Sequence, residues 1–129
     1  MKPETIEWLD RASGDLKVAE RELASGDPVP HVVCFLAQQA AEKHVKALME
    51  ERSLPLRKTN DLLVLVDVMA DLSSVFDKPD RSRIAELSTF GVSARYPGMG
   101  SDIEAAREAV ATSRLVRDTI RAFLEPSGK

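Results

Sequence analysis

At 129 residues, with 43% hydrophobic and 30% charged side chains, the chain has the size and make-up of one globular domain able to close its own core. Its 18 Lys and Arg against 21 Asp and Glu leave a formal charge of -3, which argues against a constitutive, charge-driven nucleic-acid binder and leaves RNA as a partner only through a local basic patch. One cysteine, Cys34, excludes an internal disulfide or a multi-cysteine metal site, and no run approaches the roughly 18 apolar residues of a membrane span.

Five segments read as helices. Residues 3–24 set Ile6, Leu9, Leu16 and Leu23 at three- and seven-residue steps, the spacing of one helical face, and Pro3 is tolerated in a first turn that does not need its N–H. Gly14 inside this segment costs up to about 1 kcal/mol relative to alanine. Ser25-Gly26 is a stop, and Asp27-Pro28-Val29-Pro30 is a stiff connector. Residues 30–52 form the second helix, with Val33, Ala37, Ala40, Ala41, Val45 and Leu48 three and four apart and Pro55 beyond its end. The third starts at Thr59-Asn60, either of which can cap it, and continues through Leu62, Leu65, Val66, Met69 and Leu72. Residues 73–78 read as a loop with a short turn at Val75-Phe76.

The fourth helix opens at Pro79 and buries Ile84, Leu87 and Phe90; Gly91 ends or weakens it, and Tyr96-Pro97-Gly98 closes it. The last opens on a capping box, Ser101-Asp102-Ile103-Glu104, in which hydroxyl and carboxylate each satisfy a backbone donor. Ile103, Ala106, Val110, Ile120 and Leu124 mark its core face, and Pro126 ends it. No sustained period-two alternation appears. The expectation is an all-α, antiparallel four- to five-helix up-and-down bundle forming a single domain over 1–129, with its core over about 3–124. The first 20 residues are charged throughout and lack an apolar signal region, so the cytoplasm is the expected compartment.

The second helix carries the most informative string, CFLAQQAAEKHVKAL at 34–48, where amides and charges are set among alanines that let neighbouring helices approach. An unpaired buried polar group costs about 1–3 kcal/mol, so these residues form either a satisfied network or a site. Glu42 and Lys46, four apart in the favourable order, contribute about 0.2–0.5 kcal/mol as a plain surface pair. Gln39 and Lys43 share an adjacent stripe. Arg95-Tyr96 precedes Pro97, which favours extended backbone at Tyr96 and sends the pair off a helix end. Asn60-Asp61 is a helix-start signal first. His31 and His44 read as solvated and, thirteen apart, lack metal-ligand spacing. Cys34 reads as a small buried residue, and Trp8 as packed at an inter-helix edge or dimer interface. No phosphate-cradling glycine loop or Ser–His–Asp set is present.

The string at 34–48, followed by TNDL at 59–62 and ARYPG at 94–98, resembles the small prokaryotic HEPN-domain proteins over about 8–124, with QQAAEK at 38–43 the most specific element. The resemblance implies a helical bundle that dimerises, and three activities: nucleotide binding, RNA cleavage, or partnership with a minimal nucleotidyltransferase in a two-gene, toxin–antitoxin-like module. Ribonuclease relatives place an arginine about five to seven residues before a histidine, for proton transfer beside a phosphate donor. The corresponding positions here are Ala24, Ser25 and Gly26 for His31, and Ala37, Gln38 and Gln39 for His44, and no histidine follows Arg95. Leu36 and Asn60 stand where branch members often carry histidine.

What remains is a set for binding a ligand or partner: Gln38, Gln39, Lys43, Lys46, Arg95 and Tyr96 as donors, with Glu42 and Asp61 as acceptors. No catalytic residue, metal or cofactor is assigned. The expected role is a non-catalytic binding or regulatory module whose partners are a second copy, a nucleotidyltransferase-type protein and a nucleotide. In the last case Lys43, Lys46 and Arg95 face the phosphates and Tyr96 borders the base. The alternatives are a toxin-like ribonuclease using Arg95, Tyr96 and His44, or a purely structural dimeric subunit.

Overall fold

The computed structural model describes residues 1–91 and 101–125, and all regular structure among them is helical. The elements are α1 (Pro3–Leu23), α2 (Pro30–Glu51), α3 (Leu62–Asp67), α4 (Ala70–Ser74), α5 (Lys78–Thr89) and α6 (Ile103–Leu124). Helices α1, α2 and α5 each begin with a proline in the first turn, where its fixed φ suits the helix and its missing N–H has no intrahelical partner to lose.

Thr5 at the start of α1 donates to Glu51 at the end of α2 (2.9 Å), so these two helices are antiparallel. Arg114 with Glu20 and Arg121 with Ser13 set α6 antiparallel to α1 in the same way. Helices α2 and α6 therefore share one sense, because the chain after α2 returns along the bundle without a helix. The Asn60 carbonyl is back at the level of Gln38, while Asp71 on α4 pairs with Arg52 just past the end of α2. Helix α5 climbs back beside α3, with Arg81–Asp67 and Ser88–Asn60 marking its two ends.

Helix α2 lies at the centre, packed mainly by α1 and α6. Ala37, Ala40, Ala41 and Ala47 are wholly buried, and their lack of side-chain bulk lets both neighbours close on its backbone. Larger apolar groups fill the remaining space, among them Leu16, Leu48, Met49, Leu65, Ile84, Leu87, Val116 and Ile120, each stabilising by about 1.5–3 kcal/mol when fully buried.

Local expectations are revised at four places. Ile6, assigned to the core face of α1, is 54% exposed. The third helix is two short ones: Met69 is extended (φ -116°, ψ 104°) and the break is held by tertiary bonds. Asp67 takes both Arg81 nitrogens and the Ser73 hydroxyl, while Asp71 takes both nitrogens of Arg52. Asp61, not Thr59 or Asn60, caps α3, accepting from the N–H groups of Leu63 and Val64. Asp102, not Ser101, caps α6, accepting from Ala105 N–H at 2.8 Å.

Candidate functional site

Helix α2 turns Gln38 into the bundle between Ala37 and Ala41, and its side chain is wholly buried. Nε2 donates to Glu42 Oε1 (3.2 Å) and to the Asn60 carbonyl (3.3 Å), while Oε1 accepts from Gln39 Nε2 (2.8 Å). Two acceptors on one side and a donor on the other fix the orientation of the amide. The second Glu42 oxygen accepts from Lys46 Nζ (2.8 Å), and Nζ lies 5.8 Å from the centre of the Trp8 ring. Ser88 Oγ donates to the Asn60 carbonyl (3.0 Å) and accepts the Leu62 N–H (2.9 Å). One continuous set of contacts thus ties α1, α2, the entry to α3 and the end of α5.

Gly91 completes this arrangement. A Cβ there would sit 3.0 Å from Gln38 Cδ and 3.1 Å from Nε2 and Oε1, so any larger residue has to push the amide back by a few tenths of an ångström.

The Glu42–Lys46 pair is not the plain surface pair expected from its spacing. The side chains are 11% and 15% exposed, and the carboxylate also serves Gln38, so removing either partner leaves a desolvated charge. Lys43 points elsewhere and pairs with Asp15 of α1 at 2.6 Å. Asp61 is exposed and engaged as the α3 cap. The structure therefore joins Gln38, Gln39, Glu42 and Lys46, keeps Lys43 and Asp61 apart from them, and Arg95 and Tyr96 lie outside the described residues.

His44 corrects the expectation of a solvated ring. It is wholly buried, because α6 covers this face of α2. Nδ1–H donates to the Ala40 carbonyl (2.9 Å), which leaves Nε2 as the unprotonated nitrogen, buried and without a partner. Burial chiefly, with the Arg121 and Arg117 charges adding, lowers its pKa to about 4, so the ring is neutral at pH 7. It has no exposed surface to offer a phosphate. Cys34 is buried as expected, and desolvation pushes its thiol pKa up. Among the described residues, no group of three or more His, Cys, Asp or Glu could hold a metal ion, and no helix is long and apolar enough to cross a membrane.

Several partners had no signature in the sequence. Asp15, the Asn60 carbonyl and Ser88 enter only through tertiary approach, and Gly91 was readable only as a helix end. The same holds for a cleft of about 370 Å³ between α1, α2 and the return segment, lined by Glu4, Glu7, Trp8, Arg11, Lys43, Glu50 and Leu56.

A family model described as the HEPN domain matches residues 5–123. Two solved structures are similar over nearly the whole chain. TT1696 from Thermus thermophilus is 25% identical with a TM-score of 0.75, covering 93% of this chain and 98% of its own. ST0689, titled an archaeal HEPN homologue, is 22% identical with a TM-score of 0.72, covering 97% of this chain and 100% of its own. None of the curated proteins matches the chain.

Proposed function

The chain belongs to the HEPN domain family, and from that premise we propose that it acts as a non-catalytic binding and regulatory module. In this reading it pairs with a second copy of itself and with a small nucleotidyltransferase-type protein in a toxin–antitoxin-like unit. The observation that carries the reading is the internal commitment of the family string. Gln38, Gln39, Glu42 and Lys46 bond to one another, Lys43 is paired with Asp15, and His44 is enclosed against α6. A string spent on holding helices together leaves the outer surfaces of a rigid bundle for recognition.

Ribonuclease chemistry needs an accessible proton-transfer group beside a phosphate donor. His44 is neutral and enclosed, which weighs against the catalytic alternative that used it. For a nucleotide, the phosphates would have to displace Asp15 from Lys43 and Glu42 from Lys46, which favours a protein partner over a nucleotide as the primary ligand.

The test is co-expression with a nucleotidyltransferase-type protein from the adjacent reading frame, followed by size-exclusion chromatography with mass measurement. A stable hetero-complex, and a homodimer of the free protein, are expected. In parallel the free protein is incubated with RNA and titrated with nucleotides. RNA cleavage that disappears in Arg95→Ala, or failure to form any complex, overturns the proposal. Millimolar-range nucleotide binding that is lost in Lys43→Ala with Arg95→Ala moves the role to nucleotide binding.

A further inference from the structure

The cleft between α1, α2 and the return segment is distinct from the buried network, touching it only through Trp8. At about 370 Å³ it falls within the range of small-ligand and side-chain pockets, and its apolar surface comes from Trp8 and Leu56, the latter 42% exposed. Its charges do not balance. Arg11 is held by Glu7 (3.0 Å) and Lys43 by Asp15 (2.6 Å). Glu4 and Glu50, on facing helices, have no ion-pair partner among the described residues. The local cations are thus neutralised in pairs, and two carboxylates are left over around an indole. Lys46 reaches the Trp8 ring without lining the cleft, so it approaches from the network side.

A tryptophan face flanked by uncompensated carboxylates is the arrangement that attracts a guanidinium or ammonium group, through the ring quadrupole and direct charge pairing. The same excess of negative charge disfavours a phosphate. We propose that this cleft is a docking site for a basic peptide segment of a partner protein, with one Arg or Lys side chain seated over Trp8 between Glu4 and Glu50. This rests on the reading of the chain as a protein-binding module and assigns the surface through which it binds.

Trp8 is the one tryptophan of the chain, so its fluorescence reports on the cleft without interference. The experiment titrates the full chain with a synthetic peptide of alternating arginine and glycine, following Trp8 emission, with an aspartate–glycine peptide of equal length as control. A saturable change with the basic peptide alone is expected. In Glu4→Gln with Glu50→Gln, affinity falls about two- to thirtyfold, as removal of two solvent-accessible charge partners predicts. Neither side chain bonds to another among the described residues, so this variant keeps the fold. Glu108→Gln, an exposed acid on α6, leaves affinity unchanged.

No saturable response, an equal response to the acidic peptide, or undiminished binding in the double variant overturns the proposal. Failure to bind the peptide while the nucleotidyltransferase complex still forms refutes the cleft alone. Peptide binding without any such complex refutes the choice of partner and leaves the cleft standing.

Discussion

Gly91 and Gln38 should be energetically coupled, and the sign of a glycine-to-alanine change should depend on the glutamine. Gly91 is not in the left-handed region, so alanine meets no backbone penalty there. Its Cβ would instead press to 3.0–3.1 Å from three atoms of the Gln38 amide. That amide cannot swing aside, because it is wholly buried and held by Glu42, Asn60 and Gln39. Gly91→Ala should therefore cost about 1–3 kcal/mol by overpacking. At roughly 4 °C per kcal/mol for a domain of this size, Tm falls by about 4–12 °C.

Gln38→Ala alone should cost about 2–4 kcal/mol, from the cavity and from the loss of a hydrogen-bond partner to the desolvated Glu42 carboxylate. In that background the three obstructing atoms are gone. Gly91→Ala then becomes neutral or stabilises by up to about 1 kcal/mol, through reduced freedom of the unfolded chain. The assay is urea and thermal unfolding of the four proteins of the cycle, followed by far-ultraviolet circular dichroism. Equal effects of Gly91→Ala in both backgrounds, within about 0.5 kcal/mol, would show that the amide is not what requires glycine.

His44 gives a pH dependence with a defined sign. Its folded pKa of about 4 lies below the ordinary 6.5, so the unfolded chain takes up the proton more readily. Stability from this group is complete above about pH 6.5 and is lost as pH falls toward 4, by roughly 3 kcal/mol in total. Stability measured between pH 7.5 and 5 should decline in the native protein and stay nearly flat in His44→Gln; parallel curves would refute the assignment. Asp67 and Asp71, held low by hydrogen bonds from Arg81 and Arg52, lose their contribution only at more acid pH. At the start of α6, Asp102→Ala should cost about 1 kcal/mol as the loss of a cap. Ser101→Ala should cost clearly less, since the Ser101 hydroxyl accepts from no N–H of α6. Equal costs in denaturant unfolding would return the cap to Ser101.

The cap of α3 was misassigned where three contiguous residues offered the same chemistry. Thr59, Asn60 and Asp61 are all competent caps; the Thr59 hydroxyl takes the Asp61 N–H, and the Asp61 carboxylate takes the N–H groups of Leu63 and Val64. Residues 62–72 carry helical spacing throughout, yet the chain is extended at Met69, and Asp67 and Asp71 on either side of the break pair with Arg81 and Arg52, remote in sequence. For the candidate site, residue types and spacing pointed to Gln38, Gln39, Glu42 and Lys46. They could not say whether the cluster faced water, since periodicity locates a stripe but not what covers it.

Local chemistry along the chain was sufficient for the helical class, the prolines that start three of the helices, the alanine-lined centre of α2 and the family resemblance. These depend on spacing, φ restriction and side-chain size, all properties of neighbouring residues. Only the tertiary structure decided that Gln38 is enclosed and saturated, that His44 is neutral against α6, and that Glu4, Glu50 and Trp8 line one cleft. Each depends on burial or on a partner many residues away, and desolvation is set by the surfaces that close over a group. The polar seam of α2 thus belongs to the framework, while the uncompensated charge lies in the cleft beside it.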